Sequence, residues 1–329
     1  RSTAWLRRHL RSIFMRLIVA PMEGVVDYSM RRLIARVGGA DQMVSEFVRV
    51  NDTLLPPKVF HKLIPELKQD CCGYGDTPLV VQLLGSDPES LANNALIALE
   101  LGAPAIDMNF GCPAKTVNKS RGGSILLKEP DVVHAAVEAV RDAVPSDIEV
   151  SAKMRLGYED KSLAIDNAQA IEAAGASYLT VHARTKVEGY KPPAHWEWIA
   201  KIRNAVSIPV IANGEVWSVE DYDRCREVSG CDDVMIGRGW VANPLLPLQI
   251  KDRNYPTDLD ECWQRLKPNI LEFYEDVFAL IEERHVHGRI KQWCNMLGWH
   301  YPQAKDLFQE LRTERDAVKI GDVLKSRLQ

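Results

Sequence analysis

The chain predicts an α/β fold, a (β/α)8 TIM barrel with a C-terminal all-helical domain. Three observations carry that reading. Eight short apolar runs recur at an even beat, most of them about 25 to 30 residues apart. Polar or glycine residues follow every one of the eight. After Asn254 the strand signal stops and only helical periodicity continues. The expected division is an N-terminal extension over 1–14, a barrel over 15–253 and a helical domain over 254–329.

The predicted strands are 17–20, 42–45, 79–83, 105–108, 149–154, 178–181, 209–212 and 233–236. Runs that are apolar throughout and alternate with helices indicate a buried parallel sheet. Between them, Leu91, Ala92, Ala95, Leu96 and Leu99 mark one helical face, and Val132, Val133, Ala136, Val137 and Val140 another. Asp87-Pro88 and Glu129-Pro130 read as helix starts, since proline suits the first turn. Beyond the strands, Trp263, Leu266, Ile270, Phe273, Tyr274, Val277, Leu280 and Ile281 form a stripe expected to pack on neighbouring helices. A doubly wound open sheet is the competing architecture; eight strands with eight polar endings favour the barrel.

Composition excludes several classes. Apolar residues make up 46% and charged residues 26% of 329, which is ordinary for a globular protein. No apolar run approaches a membrane span, so no membrane association is expected. The net charge of −4 argues against a globally basic nucleic-acid binder, yet residues 284–329 carry nine basic against five acidic side chains. Seven cysteines without a C-x-x-C pair suit a reducing, cytoplasmic setting, and adjacent Cys71 and Cys72 are poorly placed to bridge. In the Arg-rich, acid-free first segment, Trp5, Leu6, Leu10, Ile13 and Phe14 share a helical face. It reads as an upstream extension, with Met15 as the expected start of the ordered chain.

The chemistry sits after the strands, where a barrel gathers its loops on one face. Cys112 lies in Asn109-Phe-Gly-Cys-Pro113, with glycine for close approach and proline for stiffness. It can act as a nucleophile or a proton donor, according to its pKa. Lys153 and His182 end neighbouring strands; a lysine there needs an anion or a cofactor carbonyl. Gly214, Gly237, Arg238 and Gly239 are the phosphate candidates, because loops after strands 7 and 8 commonly hold phosphate. Gly237–Ala242 also fits G-x-G-x-x-A, but no further strand follows with a ribose-binding acid. Arg289-Ile-Lys-Gln-Trp293 could bind RNA by phosphate contact and stacking, or be a helix face with a core tryptophan. No Ser-His-Asp order, P-loop, H-E-x-x-H or paired-carboxylate signature stands out, and no metal site is expected.

Ala20-Pro-Met-Glu-Gly24, Asp107-Met-Asn-Phe-Gly-Cys-Pro113, Lys115-Thr-Val117, Lys153-Met-Arg-Leu-Gly157, Val181-His-Ala-Arg-Thr185, Ile211-Ala-Asn-Gly-Glu215 and Val234-Met-Ile-Gly-Arg-Gly239 resemble the tRNA-dihydrouridine synthases. Ser45–Val50, Leu54–His61 and Arg289–Trp293 resemble the bacterial branch acting on uridine 16. The resemblance implies an FMN enzyme supplied with electrons by NADPH, and tRNA as the substrate. It implies Cys112 as the catalytic proton donor to uracil C5, with hydride passing from the flavin to C6. It implies Pro21, Met22, Glu23, Gln82, Lys153, His182, Asn213, Gly214, Glu215, Gly237 and Arg238 around FMN. It implies Asn109 at the uridine, with Arg49, Lys191, Arg289 and Lys291 as tRNA contacts and a monomer as the working unit. Two features depart from the branch: Phe110 stands where a small residue is usual, and Arg121-Gly-Gly-Ser124 replaces a stretch richer in glycine and alanine. Both bear on substrate fit and loop motion. The competing readings are an FMN barrel oxidoreductase acting on a free pyrimidine or a small enone, and a non-catalytic RNA-binding scaffold.

Overall fold

A computed structural model describes residues 15–69 and 77–329. The expected extension over 1–14 and the Cys71-Cys72 pair lie outside the described residues. Nine strands form one parallel sheet: β1 (Leu17–Val19), β2 (Gln42–Val44), β3 (Val48–Arg49), β4 (Leu79–Leu84), β5 (Ile106–Phe110), β6 (Val150–Arg155), β7 (Leu179–His182), β8 (Val210–Asn213) and β9 (Val234–Ile236). Pairings run β2-β1-β9-β8-β7-β6-β5-β4, and β2 also pairs with β4, so eight strands close into a barrel. β3 is the extra piece. The predicted second strand breaks at Ser45, whose hydroxyl accepts from Gln82 N and donates to Glu46 O, and Val48–Arg49 then resumes pairing with β4. The break leaves Glu46 and Phe47 on the wall of the cavity described below.

The helices around the barrel are α1 (Tyr28–Val37), α2 (Pro57–Leu63), α3 (Pro88–Glu100), α4 (Lys115–Lys119), α5 (Pro130–Ala143), α6 (Ala164–Ala173), α7 (Trp196–Ala205), α8 (Val219–Ser229), α9 (Arg238–Ala242) and α10 (Leu246–Lys251). Their starts follow local chemistry. Asp27 and Asp87 accept from Met30 N and Ser90 N, and Ser218 with Asp221 forms a capping box. Val133, Ala136, Val137 and Val140 are buried as expected, whereas Leu96 is 37% exposed and Asn94 and Ala98 take its place on the α3 inner face. The Asn94 amide reaches back to Thr53 O and Leu55 N, so a buried polar residue is satisfied where periodicity suggests an apolar one.

The barrel interior differs from the expectation of strands apolar throughout. Ile18, Val44, Val80, Ala105, Tyr178, Ile211 and Met235 belong to a separate apolar cluster. Along β4 to β7 the next positions of the same alternation, Gln82, Asp107, Ser151 and Thr180, are buried polar residues. Period-2 alternation places Asn109, Lys153 and His182 two residues beyond Asp107, Ser151 and Thr180, towards the C-terminal rim.

Four helices follow: α11 (Leu259–Leu280), α12 (Glu283–Leu297), α13 (Pro302–Leu311) and α14 (Ala317–Leu328). The predicted α11 stripe is buried from Trp263 to Val277, but Leu280 is 45% exposed because the helix ends there. Docking onto the barrel combines apolar and ionic contacts. Arg32 and Arg36 of α1 pair with Asp276 of α11 at 3.1 and 2.6 Å. Trp293 packs edge-on against Phe273 at 4.5 Å and donates from Nε1 to Val241 O of α9. Tyr301 Oη donates to Asn243 Oδ1 at 2.7 Å. Among the described residues no helix is long and apolar enough to cross a membrane, and no cluster of His, Cys, Asp or Glu could hold a metal.

Candidate active site at the barrel mouth

A cavity of about 440 Å³ opens at the C-terminal ends of the strands, within the range of small-molecule sites. Pro21, Met22 and Glu23 after β1, Asn109 and Cys112 from β5, Lys153 from β6 and His182 from β7 line it. Asn213, Gly214 and Glu215 after β8, and Gly237 and Arg238 after β9, complete the ring.

The Cys112 loop is held from three directions. Asn109 Oδ1 accepts from Gly111 N and Cys112 N, both at 2.9 Å. The Cys112 carbonyl accepts from Asn118 Nδ2, Ser124 N and Ser124 Oγ. Arg155 Nε donates to Gly111 O at 2.8 Å. Ser124 of the divergent Arg121–Ser124 stretch thus anchors the loop, and Phe110 is buried in the barrel–helix core away from the cavity. Cys112 is 8% exposed, and burial pushes its thiol pKa up.

Lys153 faces the cavity with no hydrogen bond or ion pair among the described residues, and burial, reinforced by Arg155, pulls its pKa down to about 8. His182 is 6% exposed and kept neutral by burial and by Arg155, Lys153, Arg184 and Arg238. Gly214 is left-handed at φ +120°, and a Cβ there would meet His182 Cδ2 at 2.9 Å. Arg238 lies between the rings of Tyr190 and Trp217, 4.9 and 5.0 Å from their centroids, with Glu215 at 3.6 Å. Glu215 is in turn held by Arg184 and by Trp217 Nε1, so its carboxylate orients Arg238. A largely apolar cavity with an unpaired lysine at one wall and a stacked arginine at another fits an aromatic cofactor with a phosphate tail.

A family model described as dihydrouridine synthase matches residues 18–320. The chain belongs to the dihydrouridine synthase family. A tRNA-dihydrouridine(16) synthase of Aquipseudomonas alcaligenes is 52% identical over 313 residues, spanning 94% of this chain and 99% of that protein. One from Pseudomonas putida is 53% identical over 311 residues, spanning 94% and 96%. A solved 2-naphthoyl-CoA reductase bound to 2-naphthoyl-CoA shares the fold alone, with a TM-score of 0.55 at 13% identity over 72% of this chain and 50% of that one.

Within this family member several expected contacts sit elsewhere. Gln82 is fully buried beneath Asn109, bonded to Asn109 Nδ2 and Asp107, and does not line the cavity. The Arg289 side chain is 9% exposed and bonds Asp27 Oδ2 and Oδ1 at 2.8 and 3.1 Å and Val25 O at 2.8 Å, so it clamps α12 to the loop after β1. Trp293 of the same motif is core. Arg49 bonds Ser120 and Thr116 O of α4, and Lys291 donates to Arg312 O at 3.2 Å. Lys191 is exposed beside Tyr190. Sequence reasoning misses Tyr190, Trp217, Met296 and Trp299, all on the cavity wall, and gives no role to Arg155, which joins them there. Trp299, 51% exposed and edge-on to Trp217 at 6.0 Å, reaches the mouth from just past α12. No spacing in the sequence signals that approach, because it depends on how α12 docks.

Proposed function

We propose that this protein reduces a D-loop uridine of tRNA, uridine 16, to 5,6-dihydrouridine, using FMN and NADPH. The single observation that carries the chemistry is the buried Cys112 on the wall of a cavity that fits a flavin, its loop backbone held by three sets of hydrogen bonds. The names of the two relatives support the tRNA and the position. Lys153, Asn213, Gly214, Gly237 and Arg238, with Pro21, Met22 and Glu23, would hold FMN. When bound, FMN supplies to uracil C6 a hydride that originates from NADPH. Cys112 gives its proton to C5, so two hydrogens add across one double bond, and the thiolate regains a proton from solvent. The uridine must leave its stack to reach this wall. Exposed Trp299 and Tyr190 at the mouth offer rings for it and its neighbours, and exposed Lys191 offers a phosphate contact. Arg49 and Lys291 keep roles at the tRNA only through the donors left after their protein bonds. A tRNA substrate suits a cytoplasmic protein.

The test is to map dihydrouridine in unmodified tRNA incubated with the protein and NADPH. Conversion at position 16 supports the reading. A flavin-bound protein that oxidises NADPH but converts only free pyrimidine or a small enone points to the small-molecule reductase, and one without flavin to the scaffold.

Two predictions concern the cofactor. Arg238→Ala is expected to weaken FMN binding about tenfold to a hundredfold, the value of one charge-assisted bond. Unchanged flavin content after dilution would remove Arg238 from the phosphate site. The second concerns pH. Lys153 titrates near 8 and is charged below that, so FMN affinity should be flat below about pH 8. As pH rises further, binding must first protonate the lysine, and affinity falls up to about tenfold per unit. A fluorescence titration of FMN across pH reads this, and Lys153→Met should flatten it.

A further inference from the structure

The polar side of the barrel interior is a directed run of hydrogen bonds that ends on one carboxylate. Gly111 N and Cys112 N donate to Asn109 Oδ1. Asn109 Nδ2 donates to Gln82 Oε1 at 2.8 Å, and Gln82 Nε2 donates to Asp107 Oδ2 at 2.7 Å. From the opposite side, Ser151 Oγ donates to Asp107 Oδ1 at 2.6 Å, and Ser151 is itself bonded to Tyr178, which accepts from Gln42 Nε2. Asp107 is 2% exposed and does not line the cavity.

Direction is the informative feature. A side-chain amide can face either way, but a carboxylate only accepts. With Asp107 as acceptor, Gln82 must turn its NH2 downwards and its oxygen towards Asn109. Asn109 must then turn its NH2 towards Gln82, which leaves Oδ1 for the two loop N–H groups. An asparagine at position 107 keeps its oxygen on Gln82 only by turning its NH2 onto Ser151 Oγ, which then loses the acceptor it donates to now; with its NH2 on Gln82 instead, both amides reverse and Asn109 NH2 meets those N–H groups, in a buried setting where unmatched donors are costly.

We propose that Asp107 is a positioning residue for Cys112, fixing the polarity of the Gln82–Asn109 pair that holds the catalytic loop. The inference rests on the reading of Cys112 as proton donor. Asp107 acts at a distance, through two amides, on where the thiol stands.

The experiment is a polarity swap in the flavin-loaded protein, read by kcat and KM for tRNA, flavin content, NADPH oxidation by oxygen and peptide-resolved alkylation of Cys112 by iodoacetamide. Asp107→Asn is expected to lower kcat about tenfold or more, the usual cost of a displaced reacting group. KM and NADPH oxidation by the flavin-loaded protein should hold, FMN affinity should fall only as far as Asp107 supports the charge on Lys153, and Cys112 should alkylate faster. Asp107→Asn with Gln82→Glu should recover most of the lost kcat. In that pair the new amide at position 107 donates to the new carboxylate at position 82, whose second oxygen still accepts from Asn109. Gln82→Glu alone sets two carboxylates together and should be impaired. Wild-type kcat in Asp107→Asn, or no recovery in the double variant, would overturn the proposal. If the single variant does not fold, the double decides: active supports the proposal, inactive overturns it. Cys112→Ala run in parallel separates the two readings. Turnover in that variant defeats the proton-donor role, whereas its loss beside an unaffected Asp107→Asn defeats only the role of Asp107.

Discussion

Cys112→Ala is expected to keep its flavin and lose dihydrouridine formation by about a hundredfold to ten-thousandfold, the range for removing a positioned general acid. Retention of the cofactor follows from the geometry. The bonds that order the loop go to the Cys112 backbone, through Asn109, Asn118 and Ser124, and alanine preserves all of them. Cys112→Ser should recover little, since a hydroxyl is a far weaker acid than a thiol. The pH profile carries a sign. An acid with a raised pKa stays protonated over a wider range, so kcat limited by this proton should hold through the ordinary thiol range and fall only above it. A decline starting below that range would mean that another group gives the proton. Loss of flavin in the alanine variant would assign Cys112 to binding instead.

Arg289→Ala should destabilise the protein without changing how tRNA binding responds to salt. Removing the guanidinium leaves Val25 O and one side of Asp27 unpaired at a largely buried joint. The pair is partly open on the Asp27 side, which tempers the cost to about 1–3 kcal/mol. For a chain of this size that is a fall in Tm of about 1.5–4 °C. Val25 also lines the cavity, so the loosened loop should release flavin more readily than wild type. A phosphate contact behaves differently: its loss lowers the salt slope of tRNA binding by about one unit. A reduced slope with unchanged Tm would return Arg289 to the RNA surface.

The two arginines of the cofactor and RNA predictions illustrate what is legible in the sequence. Arg238 is placed by its position after the eighth strand, because closure of a barrel forces every strand end onto one rim. Arg289 is placed by a short motif, a cation near a tryptophan that resembles the family branch, and a motif does not say whether a partner waits across an interface. Asp27, its partner, lies 262 residues away and doubles as the α1 cap.

By itself the sequence determined the closed eight-strand parallel sheet, the helical segment after it and the ring of residues from Pro21 to Arg238. Those features are local or periodic. Runs of apolar residues, prolines at helix starts and polar residues just past each strand are written in consecutive positions, and barrel closure does the rest. The tertiary structure decided which face each polar side chain met. It set Gln82 beneath Asn109, stacked Arg238 between Tyr190 and Trp217, brought Trp299 to the cavity mouth and raised the Cys112 pKa. Burial and long-range pairing are properties of the assembled chain, since desolvation and a hydrogen-bond partner exist only once distant segments have packed.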